Sequence, residues 1–289
     1  MTGFSPVESV THLIEFIGDF LAIGSIGFRY GIVRRIRGIT EEARSILRPD
    51  NAAMLGLAGA LLLALTVLGG PYLNGLIEHK TFAQSLPKNL SRLYFRLTML
   101  AIALAGFALA RSRPRFGWPI AAIGVLATAL QPLYTGRLAG KVNGVHILAA
   151  STWLGTLLIL TIVGIRGLAR RSPAGPQRSL LVAELVNSFS PLALTAAVVV
   201  VLTGATTAWL HLKRFSALFT TSYGLTLVVK LLLVLVVVAL GAWNWKKVRP
   251  SLGDQGTEDM IRRSATMELT FGAFVLIATS VLVTLPSPK

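Results

Sequence analysis

The chain carries eight apolar stretches, each close to the length that a helix needs to cross a lipid bilayer. About 20 helical residues cover the ~30 Å of hydrocarbon. No water is available at that depth, and an α-helix satisfies its backbone hydrogen bonds within one segment. The predicted spans are Ser9–Phe28, Ala52–Leu73, Leu93–Ala110, Gly117–Tyr134, Val142–Ile165, Leu185–Leu210, Tyr223–Trp243 and Ala265–Leu285. The sequence therefore predicts an all-α integral membrane protein with eight transmembrane helices.

The composition agrees with a single membrane domain. Of the 289 residues, 53% are apolar and 14% are charged, and the mean hydropathy is +0.67, which is unlike a soluble domain. The connections are short, so residues 1–289 are predicted to form one polytopic domain. Glu15 and Asp19 lie within the first stretch and no basic segment precedes it, so we expect it to be retained rather than cleaved as a signal peptide. The chain has no cysteine, which excludes disulfides, iron–sulfur clusters and thiolate ligands.

Positive charge is distributed unevenly between the two sides of the predicted membrane. With an outer N-terminus, 18 of the 28 Lys and Arg residues fall in the four inner connections and nine fall outside. This positive-inside asymmetry predicts that the N-terminus and the C-terminus are both on the outer side. The net charge of +16 is then an orientation signal. The expected partner surface is the lipid bilayer, and nucleic acid is not expected to bind.

The first span carries His12, Glu15 and Asp19 within a narrow arc of one helix face. Acidic groups in hydrocarbon are costly and usually functional, so this face is a candidate for holding or moving a cation.

All four histidines of the chain fall on the predicted outer side: His12, His79, His146 and His211. Among them, His146 lies deepest in its span. Neutral imidazole is a common ligand of copper and zinc and an axial ligand of haem. The histidines therefore indicate a metal or haem site towards the outer face.

Lys230 is a basic residue inside a predicted span, at a depth similar to that of Glu15. A buried ammonium and a buried carboxylate are each costly unless they are paired. We therefore predict that the first and seventh spans are neighbours and that Lys230 faces Glu15 or Asp19. Such a pair serves either a transport path or helix packing, and the sequence leaves both readings open.

Two further polar residues, Asn244 and Glu268, lie near the predicted inner ends of the last two spans. They fit an ion pathway. They also fit a plain interfacial role, in which Glu268 pairs with Arg262 or Arg263, one turn of helix away.

Short similarities suggest further organisation. The segments Val10–Ile14 and Gly144–Leu148 each open an outer-to-inner span that ends near a basic turn. This raises the hypothesis of two four-helix halves related as a parallel repeat. The segment Thr40–Leu47 begins with a capping Thr and two Glu, and we expect a short helix on the inner membrane surface.

Over residues 140–287 the chain resembles the copper-resistance D (CopD) family of bacterial inner-membrane proteins. The resemblance rests on segments in the same order: Val145–Gly155, Phe189–Leu194, Leu202–Gly204, Thr221–Gly224, Lys230–Leu231, Trp243–Asn244, Arg249–Pro250, Arg262–Ser264 with Glu268, and Leu285–Pro286. It implies copper handling across the inner membrane, beside a periplasmic copper-binding CopC partner. By this resemblance the residues of interest are His146, Lys230, Asn244 and Glu268.

The preferred interpretation is a non-enzymatic membrane protein that binds copper at its outer face through His146, together with His12, Glu15, and His211 or His79. Two alternatives stay open. In the first, His146 and His211 ligate haem b and the protein passes electrons. In the second, the chain is a non-catalytic subunit of a larger membrane complex or an oligomer.

Overall fold

The computed structural model describes residues 5–36, 47, 50–77, 79–86, 89–173, 175–212, 215–248, 250 and 257–286. Within these ranges the regular structure is helical, with no β-strand. Eight helices are long and apolar enough to cross a membrane, as predicted: α1 (Pro6–Val33), α2 (Asp50–Leu73), α3 (Leu90–Ala110), α4 (Pro114–Tyr134), α5 (Leu138–Arg171), α6 (Pro176–Leu212), α7 (Ser222–Val248) and α8 (Glu258–Thr284). The predicted surface helix Thr40–Leu47 lies outside the described residues except for Leu47.

Several helices begin before the apolar stretches do, because polar side chains cap them. The Ser5 hydroxyl accepts a hydrogen bond from the backbone N–H of Glu8 at 3.3 Å, and Pro6 occupies the first turn of α1. The Thr221 hydroxyl accepts from the backbone N–H of Gly224 at 3.0 Å at the start of α7. Such caps satisfy N–H groups that lack a partner within the helix. The apolar pattern locates the spans but not these polar ends.

Helix α1 is at the centre of the bundle, where it packs against α2, α5 and α8. The contacts fall into matching pairs: α1 with α2 and α5 with α6, α3 with α4 and α7 with α8, α1 with α8 and α5 with α4. The match fails for the next pair. Helix α2 packs against α3, whereas a cavity lies between α6 and α7. This pattern is the one expected of two four-helix halves, which remain a hypothesis.

The two central helices, α1 and α5, meet backbone to backbone. A Cβ atom on Gly24 would lie 2.3 Å from the carbonyl carbon of Gly155, and one on Gly155 would lie 2.4 Å from the carbonyl oxygen of Phe20. Small residues permit such close approach in membrane helices. Both helices contain π-helical turns, at Phe28–Val33 in α1 and at Ser151–Gly155 and Leu160–Ile165 in α5. The crossing sets the relative position of the residues that α1 and α5 carry.

Candidate functional site

The acidic face of α1 is neutralised by a residue of α3. Glu15 accepts a hydrogen bond from the guanidinium of Arg96, with which it forms an ion pair, and its other oxygen lies 3.3 Å from Nδ1 of His12. The His12 ring also stacks on Phe16, with centroids 6.3 Å apart. We call His12, Glu15 and Arg96 the outer ion cluster, where outer and inner denote the two sides predicted from the charge distribution. A carboxylate held between an imidazole and a guanidinium is a satisfied group, and its lone pairs are largely occupied.

The predicted pairing of Lys230 with Glu15 or Asp19 is wrong. Arg96 takes Glu15, and the charged groups that act on Asp19 are Glu15 and Arg96. Arg96 lies in the first turns of α3, where the charge pattern marks it only as one of the outer basic residues. Its guanidinium reaches inward from that end to a helix that the sequence did not identify as a neighbour.

His146 is seated on one face of α6. Its Nδ1 lies 3.0 Å from the hydroxyl oxygen of Thr203. The Thr203 hydroxyl donates its own proton to the carbonyl of Val199 at 2.5 Å, so it accepts from the imidazole. Gly204 makes room for the ring, because a Cβ there would lie 3.1 Å from the imidazole Cε1. These contacts assign the proton to Nδ1 and leave the lone pair on Nε2.

Lys230 lies close to this seat. Its ammonium is the charged group that acts on the His146 imidazole. Across the described ranges no side chain forms a hydrogen bond or an ion pair with Lys230. Both residues are partly buried, and the sequence pattern did not indicate that they lie near each other.

The remaining predicted outer residues lie apart from His146. His211, at the end of α6, hydrogen-bonds through Nδ1 to the carbonyl of Thr207 at 2.8 Å and stacks on Tyr223, with centroids 6.2 Å apart. His79 is exposed and has a positive φ of 52°. In the part of the chain that the structure describes, no three His, Asp or Glu side chains converge as a metal site. The predicted set therefore does not form one cluster, and a haem between His146 and His211 finds no support.

The inner polar residues do converge. The Asn244 amide, at the start of the π-helical turns that end α7, donates to a carboxyl oxygen of Glu268 on α8, and the Ser264 hydroxyl donates to the Asn244 carbonyl oxygen. We call these three residues the inner triad. Glu268 is only 5% exposed. The alternative pairing of Glu268 with Arg262 is wrong, because Arg262 pairs with Asp259 at 3.0 Å. Ser264 was missed, because one serine in a membrane helix carries no signal of its own.

The inner triad borders the cavity between α6 and α7, which has a volume of about 250 Å³. Its walls are mostly apolar side chains of α5 to α8, and the polar ones are Ser190, Asn244 and Glu268. Near the first turns of the same two helices, Arg178 of α6 forms an ion pair with Glu258 of α8 at 2.7 Å.

The middle of α5 carries two buried hydroxyl groups. Ser151 and Thr156 lie between His146 and the inner half of α5 and are fully buried. Neither hydroxyl has a hydrogen-bond partner among the residues described. Buried hydroxyls without a partner are rare, and π-helical turns of the kind that surround them are frequent at functional sites.

The fold and these sites define a multi-pass helical membrane protein with separate polar sites at two depths. Residues 183–282 match the family described as copper resistance protein D. The match contains Thr203, Lys230, Asn244 and Glu268, whereas His146 precedes it. The chain is also 32% identical over 143 residues to the copper transport protein CutJ of Bacillus subtilis (strain 168), an alignment that covers 50% of this chain and 24% of CutJ.

These two matches confirm the resemblance to the copper-resistance D family. The chain spans about a quarter of the length of the curated relative that it matches. No solved structure matches the chain.

Proposed function

We propose that the protein is a copper-handling protein of the bacterial inner membrane that binds copper at its outer face through His146 and carries it across the bilayer. The names of the two matches, copper resistance and copper transport, support this proposal. Both describe metal handling rather than catalysis, so a transport role is proposed instead of an enzymatic one.

The observation that carries the proposal is the way α6 holds His146. The protein engages Nδ1 through Thr203 and leaves Nε2 with its lone pair. Metal-binding histidines commonly have their second ring nitrogen bonded to a protein acceptor, which orients the ring and raises the basicity of the ligating nitrogen. Imidazole nitrogen suits copper, and the chain has no cysteine to offer a softer ligand.

Lys230 adds a condition on charge to this site. A positively charged ammonium near His146 would repel a copper ion, whereas a neutral amine would not. We propose that copper binding is accompanied by loss of the Lys230 proton or by movement of this side chain away from the ring.

The other polar residues have proposed places along the route. His12, Glu15, His211 and His79 would make transient contacts with copper on the outer side, with Asp19 following deeper on α1. The route inward would follow the hydroxyls of Ser151 and Thr156 along α5 and end in the cavity between α6 and α7. The positive-inside distribution supports an outer location for both termini. A periplasmic CopC-like protein is the proposed copper donor.

Elemental analysis of detergent-purified protein tests the binding step. After exposure to Cu(II), or to Cu(I) under reductant, and desalting, we expect about one copper ion per chain. His146→Ala should lose it. The matched control is His211→Ala, because this ring lies at the end of α6 against Tyr223, apart from the proposed site; this variant should keep its copper.

Equal copper in wild type and His146→Ala would refute the site. Iron near one per chain, with visible absorbance, would instead restore the haem hypothesis. Neither metal, with stable co-purifying membrane proteins, would favour the role of a non-catalytic subunit.

A further inference from the structure

The carboxyl group of Glu268 has no cationic partner in the described part of the bundle. Its contact is a hydrogen bond from the neutral amide of Asn244. Two arginines of α6 and α8 form ion pairs with other carboxylates: Arg262 with Asp259, and Arg178 with Glu258.

Charged or titratable groups on the surrounding helices do not change this. Among the described residues, α1, α5, α6 and α7 contribute no charged side chain that bonds to Glu268. Helix α6 presents Ser190 to the same cavity, and its Glu184 is exposed. Lys246 and Lys247, which follow Asn244 on α7, are exposed. The carboxyl therefore lies in a neutral and mostly apolar environment.

An ionised carboxylate in this environment is unstable. Glu268 lies three residues, or about 5 Å along α8 at 1.5 Å per residue, inside the apolar span that begins at Ala265, and it is almost fully buried there. An ionised group in such a buried site costs several kcal/mol unless it is compensated. The group is therefore neutral at rest, carries a proton, and ionises only when another cation replaces that proton or when water reaches it.

The inner triad suits both protonation states. When Glu268 is ionised, the Asn244 amide donates to it while the Ser264 hydroxyl donates to the Asn244 carbonyl oxygen. When Glu268 is protonated, a 180° rotation of the amide lets its carbonyl oxygen accept the carboxyl proton and its NH₂ donate to Ser264. An asparagine offers a donor and an acceptor of nearly equal shape, so neither state leaves a buried polar group without a partner.

We infer that Glu268 is a proton-binding site in the inner half of the membrane, held by Asn244 and Ser264, whose proton is exchanged as a cation passes the cavity. The existence of the proton site is independent of copper. Its coupling to copper rests on the proposed function.

Infrared spectroscopy of the purified protein tests the proton site. A protonated carboxyl group gives a C=O stretch that an ionised one lacks, so the difference spectrum between neutral and strongly alkaline buffer should contain this band. Glu268→Gln should remove the band. Glu184→Gln, which changes an exposed carboxylate on α6, should leave it unchanged, and Asn244→Leu should shift its frequency because the carboxyl loses its hydrogen bond. An unaltered band in both Glu268→Gln and Asn244→Leu would overturn the inference.

Copper uptake into liposomes under an imposed pH gradient tests the coupling. For wild type and Glu184→Gln we expect the initial uptake rate to change at least about tenfold when a gradient of two pH units is reversed, as one exchanged proton per ion allows. Glu268→Gln should show a rate that does not depend on the gradient, with His146 still binding copper. A gradient response equal to that of wild type would overturn the coupling. Absence of copper uptake by wild type would overturn the proposed function, while the infrared result would still decide the proton site.

Discussion

Glu15 and Glu268 are the same residue type, each in the first turns of a membrane-spanning helix, and the protein treats them in opposite ways. Glu15 lies between the guanidinium of Arg96 and the imidazole of His12. Glu268 has the neutral amide of Asn244 as its partner and a cavity beside it. A compensated carboxylate keeps its charge and fixes helix positions, whereas an uncompensated one is free to exchange a proton.

The same difference separates the first four helices, α1–α4, from the last four, α5–α8. In the first set, α2 packs directly against α3, and Glu15 of α1 forms an ion pair with Arg96. In the second set, α6 and α7 leave a cavity, and Lys230 lies near the His146 imidazole without a hydrogen bond or ion pair to a described side chain. We therefore regard the first set as the structural half and the second as the half that carries the changing charges.

Gly24→Ala should have the largest effect on stability, because the added methyl group would force α1 and α5 apart. The new methyl group would lie 2.3 Å from a backbone carbon of Gly155, and neither backbone can turn away as a flexible side chain does. We expect a loss of about 3 kcal/mol or more in the free energy of unfolding, measured by denaturant titration in detergent. Gly140→Ala is the control, because a Cβ there meets nothing within 4 Å. Equal stability of the two variants would contradict the backbone contact.

Arg96→Met should break the outer ion cluster. It leaves Glu15 with His12 alone, and we expect a cost of about 2 kcal/mol, less than for a fully buried pair because both side chains keep some exposure. The same denaturant titration measures it. The double variant Arg96→Met/Glu15→Gln should recover part of this stability, since no unpaired charge remains. If the two losses simply add, the pair contributes nothing.

Thr203→Val should weaken copper binding without unfolding the protein. It removes the hydroxyl that accepts from His146 Nδ1 and keeps the β-branched shape. Loss of such a supporting hydrogen bond commonly costs about tenfold or more in metal affinity, measurable by competition with a copper chelator. Thr206→Val, whose hydroxyl bonds only to its own helix, should bind copper as wild type does. Identical affinities of the two variants would remove Thr203 from the site.

Glu268→Gln should have the smallest effect on stability, and the comparison with Glu15→Gln is the sharpest test of the contrast. A glutamine at 268 still accepts from Asn244, so we expect a change within about 0.5 kcal/mol. A glutamine at 15 leaves the Arg96 guanidinium unpaired, and we expect a cost of about 1–2 kcal/mol. Equal losses in the two variants would show that the two acids do not differ as argued.

Much of the fold followed from the sequence, and less of the site did. The eight spans were predictable because a bilayer requires about 20 apolar residues per helix, whatever the neighbours are. His146 and Lys230 stood out because polar groups are rare in such spans. Their proximity was not predictable. The cost of burying Lys230 implies that it needs a suitable environment, but it does not indicate which helix provides that environment. Arg96 and Ser264 were missed for the same reason.

The sequence by itself determined that the chain crosses a membrane eight times and that a few polar residues lie within the hydrocarbon. These conclusions depend on the length and polarity of each segment alone, which are local properties. The tertiary structure decided which polar residues meet: Glu15 with Arg96, His146 with Thr203, and Glu268 with Asn244. Such meetings depend on the order in which helices pack and on close approaches such as Gly24 to Gly155. In lipid, packing is set by side-chain shape and hydrogen bonding between helices rather than by hydrophobic burial, and the apolar pattern does not encode it.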